Sequence, residues 1–330
     1  MNQAIHRLAV TAATLALLVI VLGAWVRLSD AGLGCPDWPG CYGHLGWPNA
    51  DHEVRIANEA FPELPVESAK AWKEMIHRYL AGTLVLMVIA LNWIAWRKRN
   101  GAPTFRRKTG LLLGLILFQA TLGMWTVTLK LLPVVVMGHL LGGMATLALL
   151  LWIIFSNRYA QGYNPGPRVR GMRGVVVTAL AVLGLQIALG GWTSSNYAAM
   201  ACPDLPLCQG QFWPDMNFRD GFVLWRKIGV DFEGGVLDLP SRTAIHMAHR
   251  VGAVLTLFVL LLAAFKLGRV PALQRSGVLL MGLVSAQFLI GVLNIELRLP
   301  LFNAVAHNGV AALLLAVLVG LLYRTSPGRS

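Results

Sequence analysis

Charge is scarce in this chain. Aspartate and glutamate together number 15 among 330 residues, charged residues of both signs make up only 13%, and 56% are hydrophobic. So little charge excludes a soluble protein and points to a multi-span membrane protein. Acidic residues are missing altogether from three segments rich in base. Segment 97–108 holds Arg97, Lys98, Arg99, Arg106, Arg107 and Lys108; 157–173 holds Arg158, Arg168, Arg170 and Arg173; 266–275 holds Lys266, Arg269 and Arg275. A net charge of +13 would suggest nucleic acid as the partner of a soluble protein. Segregated into these loops it reads as topology instead, and no nucleic-acid partner is expected. The first residues also lack something. Arg7 precedes an apolar run as in a signal peptide, but no small-x-small cleavage site follows, and the run continues into Trp25-Val26-Arg27. It is read as the first span.

Eight apolar stretches stand out, at 10–28, 74–96, 109–129, 134–156, 174–193, 243–265, 277–297 and 302–323. Each has about 20 residues, which at about 1.5 Å per residue crosses about 30 Å of hydrocarbon. The positive-inside rule places both termini and the basic loops in the cytoplasm, with loops 29–73 and 194–242 outside. All the acidic residues fall on the outer side or at its rim.

The chain also repeats itself. Gly34-Cys35-Pro36-Asp37-Trp38-Pro39-Gly40-Cys41 recurs 167 residues later as Ala201-Cys202-Pro203-Asp204-Leu205-Pro206-Leu207-Cys208, and Trp25 recurs as Trp192. His77-Arg78 matches His249-Arg250, Gln119 and Gly123 match Gln287 and Gly291, and Lys130 matches Arg298. The expected fold is all-α: eight transmembrane helices as two repeated four-helix bundles, both termini inside. The halves are 1–160 and 174–330, joined by a basic cytoplasmic linker at 161–173. Four spans per half give both halves one orientation, a parallel repeat about an axis along the membrane normal.

His77, His139, His249 and His307 take matching places in the two halves. Counted along their helices, all four lie roughly 9–12 Å below the outer surface. An imidazole at that depth marks a functional site by default, although one that only bonds a neighbouring helix is also possible. Two separated pairs suit two bis-histidine hemes better than zinc, which favours four clustered ligands with cysteine or carboxylate among them.

Together these residues resemble the heme A synthase family. The resemblance spans nearly the whole chain and rests on Glu74-Met75-Ile76-His77-Arg78, the second His-Arg, His139, His307, and the Cys35–Cys41 loop after Arg27-Leu28-Ser29. It implies a membrane oxidoreductase of the bacterial inner membrane that oxidises a methyl group of heme O to the formyl group of heme A for terminal oxidases. It also implies a heme b cofactor on His249 and His307 in the C-terminal half. The substrate heme would then lie near His77 and His139. Expected partners are heme O, heme O synthase, a redox partner and membrane lipid.

The chemistry assigns further roles. A six-coordinate heme has no open position, so the C-terminal heme reads as an electron carrier. Glu74 lies three residues before His77, on the same helical face, and the matching residue in the other half is His246. A carboxylate beside the substrate ring could act as base or stabilise positive charge at the oxidised carbon; the plainer reading is a charge at a helix N-terminus. His246 reads as a rim group, a propionate partner, or the true ligand in place of His249. Arg78 and Arg250 read equally as propionate partners or as side chains reaching for the interface. The cysteines lie in outward, oxidising loops. Cys35–Cys41 and Cys202–Cys208 are expected as disulfides, structural staples in the first reading and, for Cys35–Cys41, an electron relay in the second. Gly32 and Gly34 read as turn residues, and Trp25, Trp38, Trp47, Trp72, Trp192 and Trp213 as an outer interfacial belt. Two rivals remain. A di-heme b-type, quinol-linked electron-transfer subunit accounts for the histidines but not for Glu74. A heme or solute transporter accounts for the repeat alone.

Overall fold

The computed structural model describes residues 3–97, 103–158 and 163–327. Lys98, Arg99, Arg329 and the first two residues of the expected linker lie outside the described residues. Eight helices are long and apolar enough to cross a membrane: α1 (Gln3–Leu28), α2 (Ser68–Arg97), α3 (Pro103–Thr128), α4 (Pro133–Arg158), α5 (Arg173–Ser195), α6 (Leu239–Gly268), α7 (Gln274–Glu296) and α8 (Leu301–Thr325). Each covers its apolar stretch, short by one residue only at Leu129 and Leu297. Several start earlier than hydropathy alone suggests, because their entry residues are good helix starters. Pro103 and Pro133 open α3 and α4, Pro300 precedes α8, and Asp238 caps α6 by accepting the Ser241 N–H at 3.0 Å. No strand occurs among the described residues; each cysteine loop carries one isolated bridge.

The first four helices pack in a ring, α1–α2–α3–α4, and the last four in another, α5–α6–α7–α8. The rings meet through α1 against α8, α4 against α8, and α4 against α5. Hydrocarbon gives apolar side chains no reason to prefer each other over lipid, so close approach of small residues matters here. Ala9, Ala12, Ala13 and Ala16 of α1 are buried, in one continuous core with Leu147, Leu150 and Ile153 of α4 and Ala312, Leu314 and Leu318 of α8.

Three hydrogen bonds cross between the rings and join residues 167 apart. Arg27 Nη2 donates to Ser194 O (2.7 Å), the Tyr197 hydroxyl to Asp30 Oδ1 (3.4 Å), and the Tyr323 hydroxyl to Ser156 O (3.5 Å). Arg27 also lies over the Tyr197 ring, 4.1 Å from its centre.

One expectation changes here, while the turn reading of Gly32 and Gly34 holds, with the Gly34 N–H donating to Ala31 O at 3.3 Å. Trp192 is buried and donates its indole N–H to Gly221 O at 2.9 Å, so it belongs to the core and not to an interfacial belt. Trp213 and Trp38 are exposed. Neither Gly32 nor Gly34 adopts a left-handed backbone. Gly34 is required by close approach, since a Cβ there would stand 2.8 Å from the Lys70 carbonyl carbon.

Candidate functional site

Each of the four histidines leans on a glycine of a neighbouring helix. His77 of α2 packs on Gly23 of α1, where an added Cβ would stand 3.0 Å from the ring Cε1. His139 of α4 packs on Gly123 of α3, His249 of α6 on Gly190 of α5, and His307 of α8 on Gly291 of α7, each at 3.2 Å by the same measure. A larger residue at any of these glycines would push the imidazole inward. The glycines therefore fix where the rings stand.

The ring centres of His77 and His139 are 6.5 Å apart, with planes at 78°. Two metal–nitrogen bonds of about 2 Å, with about 1 Å from each nitrogen to its ring centre, span roughly 6 Å. The pair is thus spaced to hold one metal between its rings. His249 and His307 stand on α6 and α8, two helices of the second ring. Among the described residues no group of three or more His, Cys, Asp or Glu could hold a metal ion. The Nδ1 atoms of His77, His139 and His307 are buried without a partner. Paired, uncommitted imidazoles fit the axial ligand set of a heme.

Glu74 is buried one helical turn before His77. Its carboxylate accepts the Cys35 N–H at 3.0 Å and pairs with Arg78 Nη2 at 2.5 Å. The guanidinium then donates through Nη1 to the carbonyls of Asp37 (2.9 Å), Pro39 (3.3 Å) and Gly40. Carboxylate, guanidinium and cysteine loop form one network, and both charges are largely withdrawn from solvent. Such a pair is costly to break, because either partner alone would be a buried charge. In the other half Arg250 donates to Leu207 O (2.8 Å), Cys202 O (2.7 Å) and Asp204 O (2.9 Å). Both arginines thus direct donors at loop carbonyls. His246 is buried, with Nδ1 2.9 Å from Ala198 O, and ties α6 to the start of its loop.

The two cysteine loops are built alike. Cys35–Cys41 and Cys202–Cys208 are disulfides, with Cα–Cα distances of 4.8 and 4.6 Å. Asp37 accepts the N–H groups of Tyr42 (2.6 Å) and Gly43 (2.8 Å); Asp204 accepts those of Gln209 (2.7 Å) and Gly210 (2.9 Å). The Gly210 N–H, with that of Gln209, holds the Asp204 carboxyl below its ordinary value.

The sequence of this chain matches the COX15-CtaA model, cytochrome oxidase assembly protein, over residues 6–319. The chain belongs to the COX15-CtaA family. A family member from Shewanella oneidensis, named heme A synthase, is 48% identical over 93% of this chain and 92% of its own length. A heme A synthase from Beijerinckia indica is 28% identical over 96% of this chain and 91% of its own. One from Halalkalibacterium halodurans is 25% identical over 91% and 90%.

Within this COX15-CtaA chain, four residues at or beside the site escaped the reading of the sequence. Gly23 and Gly190 are separated by the repeat distance and could have been found by it. Gln186 contacts His249, but Val19 stands at the matching place, so the repeat gave no signal. Phe232 is buried against the α3–α4 turn from a loop of the other half, and nothing local announces it.

Proposed function

We propose that this chain is a heme A synthase, oxidising a methyl group of heme O to a formyl group in a bacterial inner membrane. One observation carries the reading. His77 and His139 face each other at 6.5 Å on glycine seats, in a chain 48% identical to a protein named heme A synthase. The N-terminal half, 1–160, takes heme O between these two imidazoles. The C-terminal half, 174–330, holds heme b on His249 and His307, which when bound supplies one-electron transfer. Heme O synthase and a redox partner act before and beside it.

Glu74 is the group proposed to act on the substrate. It is anchored to Arg78 and to the Cys35 amide, so its charge stays fixed one turn from His77. That position suits a carboxylate facing a developing positive charge. Arg78 and Arg250 hold the loops that close the outer end of each half, and any propionate would share them with those carbonyls. His246 supports its loop at the rim of the cofactor half.

The two halves are proposed as a parallel repeat, inner ends and both termini in the cytoplasm. Two bonds join repeat mates, Arg27 to Ser194 and Tyr197 to Asp30, and a third joins Ser156 to Tyr323, the neighbour of its mate Arg324; these support the reading. A residue can touch its own repeat mate only near the axis relating them. Arg27 and Asp30 lie at the outer end of α1 and Ser156 at the inner end of α4, so that axis runs along the membrane normal. A reporter fused after Arg107 should read cytoplasmic and one after Glu59 periplasmic; the reverse would invert the topology.

Pigment extraction tests the activity. Purified protein from cells making heme O should yield hemes B, O and A together. Heme B alone would favour the di-heme electron-transfer rival.

A further inference from the structure

Gln186 of α5 lies one turn before Gly190, the glycine under His249, and so on the same helical face. Its Nε2 is 3.0 Å from His249 Nδ1 and 3.0 Å from the His249 carbonyl oxygen. Its Oε1 is buried without a partner. The carboxamide occupies room left by Gly252, three residues past His249, where a Cβ would collide with Gln186 Oε1 and stand 3.0 Å from Leu189 Cδ1. At the other three imidazoles, the Nδ1 atom has no such side-chain partner among the described residues. In the N-terminal half the matching positions hold Val19 and Leu80. Gln119 stands likewise four residues before Gly123 and fills the room over Gly142, three residues past His139, but its amide nitrogen and the His139 Nδ1 are both without a partner, so the contact to Nδ1 is what sets His249 apart.

An imidazole that binds iron through Nε2 keeps its remaining proton on Nδ1. In an apolar site that proton needs an acceptor. A half-turn of the carboxamide brings the unpaired Oε1 to the place of Nε2, at little steric cost because its two ends are nearly equal in size. The half-turn gives up the bond to the His249 carbonyl, which keeps its helical partner, and the carboxamide must swing clear of that oxygen, because two acceptors at 3.0 Å repel.

We propose that Gln186 is a positioning residue for His249: its carboxamide oxygen accepts the Nδ1 proton, fixes the rotation of the ring and makes the C-terminal iron harder to reduce. An acceptor at Nδ1 raises the basicity of the ligand, and a more basic imidazole favours ferric over ferrous iron. The proposal rests on the reading of His249 as an axial ligand of heme b.

The test uses the full-length, heme-loaded protein in detergent, with Gln186→Leu, Gln186→Glu and Gly252→Ala. The ferric-to-ferrous ratio of the low-spin heme is read spectroscopically at the wild-type midpoint potential. Gln186→Leu removes the acceptor, and Gly252→Ala displaces it without touching Gln186 itself. Both should retain heme b and lower the ratio roughly 3- to 10-fold, the worth of one hydrogen bond. Gln186→Glu, a stronger acceptor, should raise it. If Gln186→Leu fails to hold heme, the other two variants decide. Ratios equal to wild type in Gly252→Ala and Gln186→Glu would overturn the proposal. A His249→Ala protein that keeps the low-spin signal would instead overturn the ligand reading beneath it.

Discussion

The outer turns of the two halves share a backbone but not an environment. In the α3–α4 turn Lys130 and Leu131 take left-handed conformations, at φ 47° and 60°; in the α7–α8 turn Arg298 and Leu299 do the same, at 56° and 61°. Yet Leu131 and Leu132 are buried, whereas their counterparts Leu299 and Pro300 are only half-buried and Leu297 and Phe302 beside them are exposed. The difference comes from Phe232. It lies in the second outer loop and packs on Leu122, Leu131, Leu132 and Val135, while its N–H donates to Lys130 O at 3.1 Å. Three glycines at positive φ, Gly229, Gly234 and Gly235, shape this stretch. Gly235 is further required by close approach, since a Cβ would stand 3.0 Å from Tyr197 Cβ. The loop of one half thus packs over the α3–α4 turn of the other, and among the described residues no matching buried cluster forms at the α7–α8 turn. With Glu74 facing His246 across the repeat, and Gln186 facing Val19, the halves share a frame and differ at the groups nearest the histidines. Two matching backbones thus carry different side chains around their histidine pairs.

The largest expected effects separate the two histidine pairs. His77→Ala or His139→Ala should abolish heme A formation and leave the low-spin heme b spectrum largely intact. His249→Ala or His307→Ala should remove that spectrum. Pigment extraction and absorption spectra of the four proteins decide the matter, and identical behaviour of both pairs would erase the division of labour.

Next comes the carboxylate. Glu74→Ala should lower heme A output more than tenfold and accumulate heme O or the hydroxylated intermediate. Glu74→Asp should retain part of the activity, and His246→Ala should reduce output less than Glu74→Ala. Because Glu74→Ala also strands Arg78 as a buried charge, heme b content and melting temperature must be read beside turnover. Near-normal heme A from Glu74→Ala at equal protein level would reduce the residue to a loop anchor.

The loop over the α3–α4 turn should give a moderate effect on stability. Truncating a buried phenylalanine to alanine costs about 3–5 kcal/mol in a well-packed core, and less where a loop can settle into the gap. A cysteine at Leu131 should react with a membrane-impermeant thiol reagent only when Phe232→Ala is present. A cysteine at Leu299 should react in either background. Equal labelling of both sites in the parent protein would mean that Phe232 does not roof the turn.

The smallest contrast concerns the disulfides. Cys35 is joined through its N–H to Glu74, whereas in the second loop the residue at the Glu74 position, His246, bonds Ala198 instead. Cys35→Ala should therefore lower turnover more than Cys202→Ala. Equal, small losses in a side-by-side assay would leave both bridges as staples.

Much of this protein was legible in one dimension. Runs of apolar residues marked all eight helices to within a residue or two at most boundaries that matter, because crossing hydrocarbon demands length and hydropathy that no loop can mimic. The repeat spacing picked out four histidines and two cysteine loops, since ligand type and proline–cysteine turns are written locally. The roles offered for Arg78 and Arg250 were less well read. Either could reach a propionate or the interface by length alone, and only the folded loops bring six carbonyls to their guanidinium groups.

By itself, then, the sequence determined the number of spans, the segregation of charge between their ends, and which residues could serve as ligands. Tertiary structure alone decided that α1, α4, α5 and α8 form the seam, that Glu74 reaches the Cys35 amide, that Gln186 meets His249, and that Phe232 crosses from one half to cover the other. The physical reason lies in the solvent. Hydropathy and charge act on each segment separately, and the bilayer reads them one helix at a time. Which side chains meet depends on how helices rotate and how closely small residues let them approach. That is a property of pairs distant in the chain, and lipid gives it no signature along the sequence.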